Sequence, residues 1–366
     1  MRDSKFSGAK ALRVAVIGTG EISDEHLRFL AASPRARLEA VCDLSPALAR
    51  LSARQYGAAR AATDYRAMLE EARPDVVHVL TPPHSHATVV RHCLEAGCHV
   101  IVEKPIAPTH AEFQDLWTLA RGKERWLIED HNYRFNKPVQ RMEQWVRTGR
   151  LGEIQEVDVR MALPIREASS RYADENLPHP SHRMPGGVVH EFITHLCYLA
   201  LRFLPDRSIG DGVGFDRAHA LWGNTAGGGL FKYDELDALV IRGGVHARLR
   251  LSCQTRPAVL QIVIRGTQGE AATDLYQPYL VLNAPRFGGG QLTPLINQWL
   301  SGWHLVFRSL RNFFDKLQRI SPYEGLATFL DLTYASLATG GTPPVTFDDM
   351  DTTSRLIDLL VAQAGS

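Results

Sequence analysis

A short apolar run, Val14-Ala-Val-Ile17, ends in Gly18-Thr19-Gly20-Glu21-Ile22-Ser23, and helical text follows to about Ala32. This junction constrains the chain more than any other. A continuous apolar run of that length suits a strand covered on both faces, as in a parallel sheet. Gly18 permits a tight turn, Gly20 lets backbone amides approach a pyrophosphate, and a helix N-terminus favours negative charge. Ser23 stands where a third glycine is usual, and a small residue still permits close helix–strand packing. Asp43 ends the next apolar run, Leu38-Glu-Ala-Val-Cys42, 23 residues after Gly20 (43 − 20). A carboxylate near that spacing accepts hydrogen bonds from ribose hydroxyls and repels a 2′-phosphate. Gly18, Thr19, Gly20, Glu21, Ile22 and Asp43 are therefore expected to bind a dinucleotide, NAD in preference to NADP. The alternative for Asp43 is a helix cap.

The same texture continues. Ser45 can cap a helix that has Pro46 in its first turn and Gly57 at its end. Val76-Val-His-Val-Leu80, His99-Val-Ile-Val102 and Trp126-Leu-Ile128 read as further strands, separated by helices over His86–Ala96 and His110–Ala120. Repeated βα units predict a doubly wound, Rossmann-type parallel sheet. After Pro138 the pattern changes. Val245, Ala247, Leu249 and Leu251 alternate with His246, Arg248, Arg250 and Ser252, and Val157, Val159 and Met161 alternate likewise. Period-two alternation with glycine turns describes a mostly antiparallel sheet with one wetter face. Runs at 227–229 and 288–290 read as glycine loops. The expected fold class is α/β: a Rossmann domain over 1–135, then an α+β substrate-binding and oligomerisation domain over 136–366 with an open-faced sheet. At 366 residues the chain is too long for one core, which agrees with two domains.

A net charge of +1 offers no field for nucleic acid, so a small-molecule partner is expected. Cys42, Cys93, Cys98, Cys197 and Cys253 fit no zinc signature and read as buried thiols of a reducing cytoplasm. No secretory signal and no long apolar run is visible, so no integral membrane segment is expected.

Two loops carry chemistry. Thr81-Pro82-Pro83-His84-Ser85-His86 follows a strand at the carboxyl edge of the sheet, where ligands bind. His86 reads either as a cofactor neighbour or as a packed helix residue; no third ligand stands near His84 and His86, so no metal is expected. Glu103-Lys104-Pro105 ends another strand at that edge, and a lysine there can stabilise alkoxide character on a reacting oxygen.

Together these features resemble the Gfo/Idh/MocA family, named for glucose–fructose oxidoreductase and inositol dehydrogenase. The matching text includes the glycine loop with His26 behind it, Thr63-Asp64-Tyr65, Thr81-Pro82 through His86, Glu103-Lys104-Pro105, Asn132-Tyr-Arg-Phe135 with Pro138, and Gly149-Arg-Leu-Gly152. The resemblance implies NAD-dependent hydride transfer at a secondary alcohol of a sugar, cyclitol or nucleotide sugar. It implies cofactor contacts from Thr81, Pro82, His86, Glu103, Lys104 and Arg134, and a Lys-Pro bond that is often cis. Gly186-Gly187-Val188-Val189-His190-Glu191-Phe192-Ile193-Thr194-His195 resembles the family segment with an aspartate and, four residues later, a histidine; here glutamate replaces the aspartate. The implied catalytic set is Lys104, His195 and Glu191, with His195 the general base and His190 a second candidate for that role. Tyr133, His190, Glu191 and His195 join Lys104 as expected substrate contacts. A catalytically silent NAD-binding regulator is the rival on the same scaffold.

One stretch stands outside this pattern. Trp299, Trp303, Val306, Leu310, Phe313, Phe314, Leu317 and Ile320 fall near helical spacing, with Arg308, Arg311, Lys316 and Arg319 between them. Such a stripe suits packing on a sheet, a subunit interface or a membrane surface. A dimer or tetramer is expected, through this helix or the open sheet face.

Overall fold

The computed structural model describes residues 11–205, 214–225, 227, 229–277, 279–285, 292–317 and 323–365. The chain divides into two compact units. The first comprises Met1–His131 and Leu326–Asp351, the second Asn132–Gly325 and Thr352–Ser366. Two contiguous blocks, as expected from the sequence, omit the return of residues 326–351 to the first unit.

The first unit alternates β1 (Leu12–Ile17), α1 (Ser23–Ala32), β2 (Ala36–Cys42), α2 (Pro46–Tyr56), β3 (Arg60–Ala62), α3 (Tyr65–Ala72), β4 (Val76–Val79), α4 (Pro83–Glu95), β5 (His99–Val102), α5 (His110–Gly122) and β6 (Leu127–Glu129). The strands form a parallel sheet in the order β3-β2-β1-β4-β5-β6. All four residues of β4 are buried, as a strand covered on both faces requires. The short β3–α3 unit was not expected, though Asp64 signals it. Its carboxylate caps α3 by accepting from the Arg66 and Ala67 amides. α4 begins at Pro83, three residues before the expected start, because proline is tolerated in a first helical turn.

In the second unit, α6 (Lys137–Arg147) and β7 (Ile154–Ala162) precede α7 (Gly187–Leu201). Then follow β8 (Arg217–Gly223), β9 (Glu235–Arg242), β10 (Val245–Ser252), β11 (Val259–Gly266), β12 (Gly269–Asp274), β13 (Tyr279–Asn283) and α8 (Thr293–Leu317). The sheet runs β13-β12-β11-β7-β10-β9-β8, antiparallel throughout except for the β7–β10 pair. β10 buries Val245, Ala247, Leu249 and Leu251 and exposes the residues between them. Those inward side chains pack with Val188, Ile193, Leu196 and Leu199 of α7 in one apolar cluster. The outer face is a lattice of ion pairs: Arg265 with Asp158 and Glu270, Arg250 with Asp237, Arg248 with Glu156.

α9 (Glu324–Thr339) and α10 (Phe347–Ala362) close the chain. Tyr334 of α9 is fully buried against Phe29 of α1, and Phe347 stacks on Trp117 of α5 with ring centroids 4.8 Å apart. The 288–290 glycine loop, Arg319 and Ile320 lie outside the described residues.

Candidate functional site

The strand order of the parallel sheet reverses between β1 and β4, which opens a crevice at their carboxyl ends. The glycine loop follows β1 there. Gly18 has φ +97°, and a Cβ on it would lie 2.7 Å from the Leu80 carbonyl oxygen, so only glycine fits. A Cβ on Gly20 would meet nothing within 4 Å, so the backbone is open to close approach. Ser23 is buried, and its hydroxyl donates to the Gly20 carbonyl at 2.6 Å, holding the turn on α1. The start of α1 has no side-chain cap, leaving its first-turn dipole facing the loop. Asp43 stands at the end of β2 and accepts from the Thr19 amide (2.9 Å), the Thr19 hydroxyl (2.7 Å) and the Ser45 amide (2.8 Å). Ser45, not Asp43, caps α2 by accepting from the Leu48 amide. An open glycine cradle, an uncapped helix start and a carboxylate one strand away fit a dinucleotide.

Thr81 and Pro82 follow β4, and Glu103 and Lys104 follow β5, at the same edge. The Lys104–Pro105 bond is cis. His86 stands behind these two loops. Its ring is fully buried and lies 2.6 Å from the Thr81 carbonyl and 2.7 Å from the Pro105 carbonyl. Burial lowers its pKa against the pull of the two carbonyls. His86 thus ties the two loops together from behind.

Behind Lys104 lies a buried polar chain. The Glu103 amide donates to the Val79 carbonyl and the Asp130 amide to the Val102 carbonyl, so adjacent strand ends bring both carboxyls together. His26 Nε2 lies 3.5 Å from Glu103 Oε1 and 3.8 Å from Asp130 Oδ2. His26 Nδ1 is 2.8 Å from His78 Nδ1, and His78 Nε2 is 2.9 Å from the Tyr334 hydroxyl. Burial pushes the Tyr334 pKa well up and the His78 pKa well down, so both are neutral. With both neutral, Tyr334 O–H donates to His78 and His78 N–H to His26, while His26 Nε2 faces the carboxyls without a hydrogen bond.

Two buried carboxyls side by side do not both ionise. Burial opposes the charge of Glu103, but His26 and the Lys104 cation outweigh it and hold its pKa below the usual range. Burial and the neighbouring Glu103 charge push Asp130 well above. Glu103 is the anion, Asp130 holds the proton, and the Lys104 charge bears on both. Glu129 completes the support: it accepts from the Ile106 amide at 2.8 Å and meets His131 at 2.6 Å.

The remaining expected residues stand in the second unit. His195 on α7 is buried, with Nδ1 2.8 Å from the Tyr198 hydroxyl. That hydroxyl lies 3.4 Å from Asn132 Oδ1, a pure acceptor, and 3.3 Å from the Tyr133 amide, a pure donor. If the phenol donates to Asn132 and accepts from His195 Nδ1–H, the imidazole lone pair lies on Nε2. The Tyr133 ring lies 4.7 Å from the His195 ring. Arg134 follows in the same short turn, its guanidinium 5.8 Å from the Phe135 ring centroid.

Glu191 stands one helical turn before His195 and accepts from the Tyr172 hydroxyl at 3.4 Å, with His179 Nδ1 at 3.8 Å. The Tyr172 and His179 rings are 4.3 Å apart, and Arg171 donates to the Tyr172 hydroxyl. The longer glutamate thus joins a corner built by the polar segment before α7. His190 precedes Glu191 on α7. It is 1% exposed and has no hydrogen-bond partner at either ring nitrogen. Burial lowers its pKa to about 4, so the ring is neutral.

Sequence reasoning singled out His26 only as matching text and missed His78, Asp130 and Tyr334. A histidine inside an all-apolar strand was the available signal for His78; nothing local marks Tyr334, 256 residues away.

Residues 12–131 match the model of the oxidoreductase family GFO_IDH_MocA, NAD-binding Rossmann fold. The chain is 38% identical over 144 residues to D-glucoside 3-dehydrogenase of Escherichia coli (strain K12), covering 39% of this chain and 41% of that one. It is 33% identical over 162 residues to dTDP-3,4-didehydro-2,6-dideoxy-alpha-D-glucose 3-reductase of Streptomyces violaceoruber, covering 43% of this chain and 46% of the other. The chain therefore spans less than half the length of these curated relatives. The crystal structure of the WlbA dehydrogenase from Bordetella pertussis, in complex with NADH and UDP-GlcNAcA, shares the fold along nearly the whole chain. It superposes with a TM-score of 0.72 at 18% identity, covering 97% of this chain and 96% of that one.

Proposed function

We propose, from the match of residues 12–131 to the NAD-binding Rossmann fold of the GFO_IDH_MocA oxidoreductase family, that the chain catalyses reversible hydride transfer at a secondary alcohol of a sugar, cyclitol or nucleotide sugar. NAD, when bound, supplies the hydride acceptor or donor. The observation that carries the reading is Lys104 at the end of β5, backed by an ionised Glu103 and a protonated Asp130. A cation so compensated hydrogen-bonds the substrate oxygen and stabilises alkoxide character. His195 takes the hydroxyl proton at Nε2, since Tyr198 engages Nδ1. Glu191, with Tyr172 and His179, orients the substrate. Gly18, Thr19, Gly20, Glu21 and Ile22 hold the pyrophosphate, with Thr81, Pro82, Glu103 and Arg134 bordering the rest of the cofactor, and Tyr133 lines the substrate side. Asp43 takes the ribose hydroxyls and selects NAD over NADP, as a carboxylate repels a 2′-phosphate.

Two relatives are named for chemistry at sugar position 3, which supports a ring hydroxyl as the reacting group. The five buried free cysteines support a cytoplasmic site of action, and the open sheet face supports a homo-oligomer. A screen of free, glycosidic and nucleotide-linked sugars, followed at the nicotinamide absorbance band, tests the proposal. Reduction of NAD by at least one class is expected. Tight NADH binding with no turnover on any of them would identify a regulator instead.

A further inference from the structure

α8 carries a row of large apolar side chains turned to the outside. Leu295, Trp299, Trp303 and Val306 recur at spacings of 4, 4 and 3, which is one face of a helix. All four are exposed, Trp299 by 65% and Leu295 by 61%, and Phe307 beside them by 62%. Trp299, Trp303 and Phe307 form a ladder, with ring centroids 5.9 Å and then 5.5 Å apart. The expectation that the stripe packs on a sheet therefore fails at these positions.

Charge is distributed unevenly along the same stretch. Between Leu292 and Phe307 there is no Asp, Glu, Lys or Arg. From Arg308 to Arg319 there are Arg308, Arg311, Lys316 and Arg319 against Asp315 alone. The whole chain is balanced, with 41 basic and 40 acidic residues, so this local excess is a feature of the segment. Exposed tryptophans, an uncharged stretch and a basic stretch on one helix are what an anionic bilayer surface binds. A second copy fits less well. Pairing α8 with its equivalent would set basic segment against basic segment, or against an uncharged one, with Asp315 the single acid to answer them. With 25 residues α8 has the length to span but not the apolarity: no described helix is both long and apolar enough to cross a membrane.

We propose that α8 is a docking helix that lies in the plane of an anionic phospholipid bilayer, seated through Leu295, Trp299, Trp303, Val306 and Phe307.

Sedimentation of the full chain with vesicles, at low and at high salt, tests this. Binding to phosphatidylcholine vesicles containing one quarter phosphatidylglycerol is expected to exceed binding to pure phosphatidylcholine by roughly tenfold or more, and to weaken with salt. The double variant W299E/W303E, at exposed positions, is expected to stay in the supernatant while still binding NADH. Should that variant fail to fold, quenching of the unmodified protein's tryptophan emission by brominated lipid replaces it, and quenching is the expected result. A wild-type chain that does not pellet with anionic vesicles at low salt, or is not quenched, overturns the proposal. So does a W299E/W303E chain that pellets as before but has lost an oligomer, which would assign the stripe to a second copy.

Discussion

Around Lys104 the ionisable neighbours are enclosed, with His26 Nε2, Glu103 Oε1 and both Asp130 carboxyl oxygens buried without a hydrogen bond; around His195 and Glu191 aromatic hydroxyls supply hydrogen bonds. In the first unit His26, His78, Asp130 and Tyr334 are all at most 1% exposed, and the chain of donors ends on a carboxyl pair with one charge. In the second unit, Glu191 is held by a 3.4 Å contact to a tyrosine and a 3.8 Å approach of a histidine. Buried carboxyls with few hydrogen bonds make the first arrangement sensitive to small changes.

The comparison breaks most visibly through His195. His195→Ala is expected to reduce kcat by about 10²–10⁴-fold while NADH affinity stays near wild type and stability falls by no more than the roughly 1–3 kcal/mol of the lost Tyr198 contact. Steady-state kinetics with a binding titration check this; a large loss of stability would mean that His195 is a packing residue.

The next largest effect is on stability and concerns His190. Its pKa is near 4 when folded against about 6.5 unfolded. The unfolded chain then binds more protons between those values, so stability is full above about pH 6.5 and declines as pH falls toward 4. The contribution at stake is about 3 kcal/mol, and His78 and His86, also lowered by burial, act with the same sign. His190→Leu is expected to flatten the pH dependence of the denaturation midpoint; an unchanged slope would remove His190 from it.

Tyr334→Phe sharpens the account of the first unit. It removes the donor at the head of the chain and leaves His78 Nε2 buried without a partner, costing roughly 1–3 kcal/mol. Chemical denaturation measures this. The loss should be accompanied by a shift of the kcat–pH profile, which a purely structural tyrosine would not cause.

The smallest effect is at Asp43. Asp43→Ser removes a charge that repels a 2′-phosphate, and the ratio of NADP to NAD efficiency is expected to rise by about tenfold, the size of one charge-assisted hydrogen bond. An unchanged ratio would leave Asp43 with only its Thr19 and Ser45 contacts.

The sequence shows the first unit more plainly than the second because βα units leave local marks. Apolar runs, the glycines at 18 and 20, Asp43 and Lys104 are each read within a few residues of their neighbours. β10 was equally plain, since alternation encodes a half-covered strand. Long-range features were hidden. No local pattern says that Tyr334 reaches His78, or that residues 326–351 rejoin the first unit. The burial of His86 and His190 was likewise hidden, because residue type does not reveal which side chains of a helix turn inward. The stripe on α8 was legible as a stripe, but its exposure was not.

The most direct test of hydride transfer through this site is Lys104→Met, assayed for NADH binding and for turnover on the best substrate of the screen. The expected result is a chain that still binds NADH, with kcat lowered by about 10²–10³-fold. Turnover equal to that of the unmodified chain would contradict it.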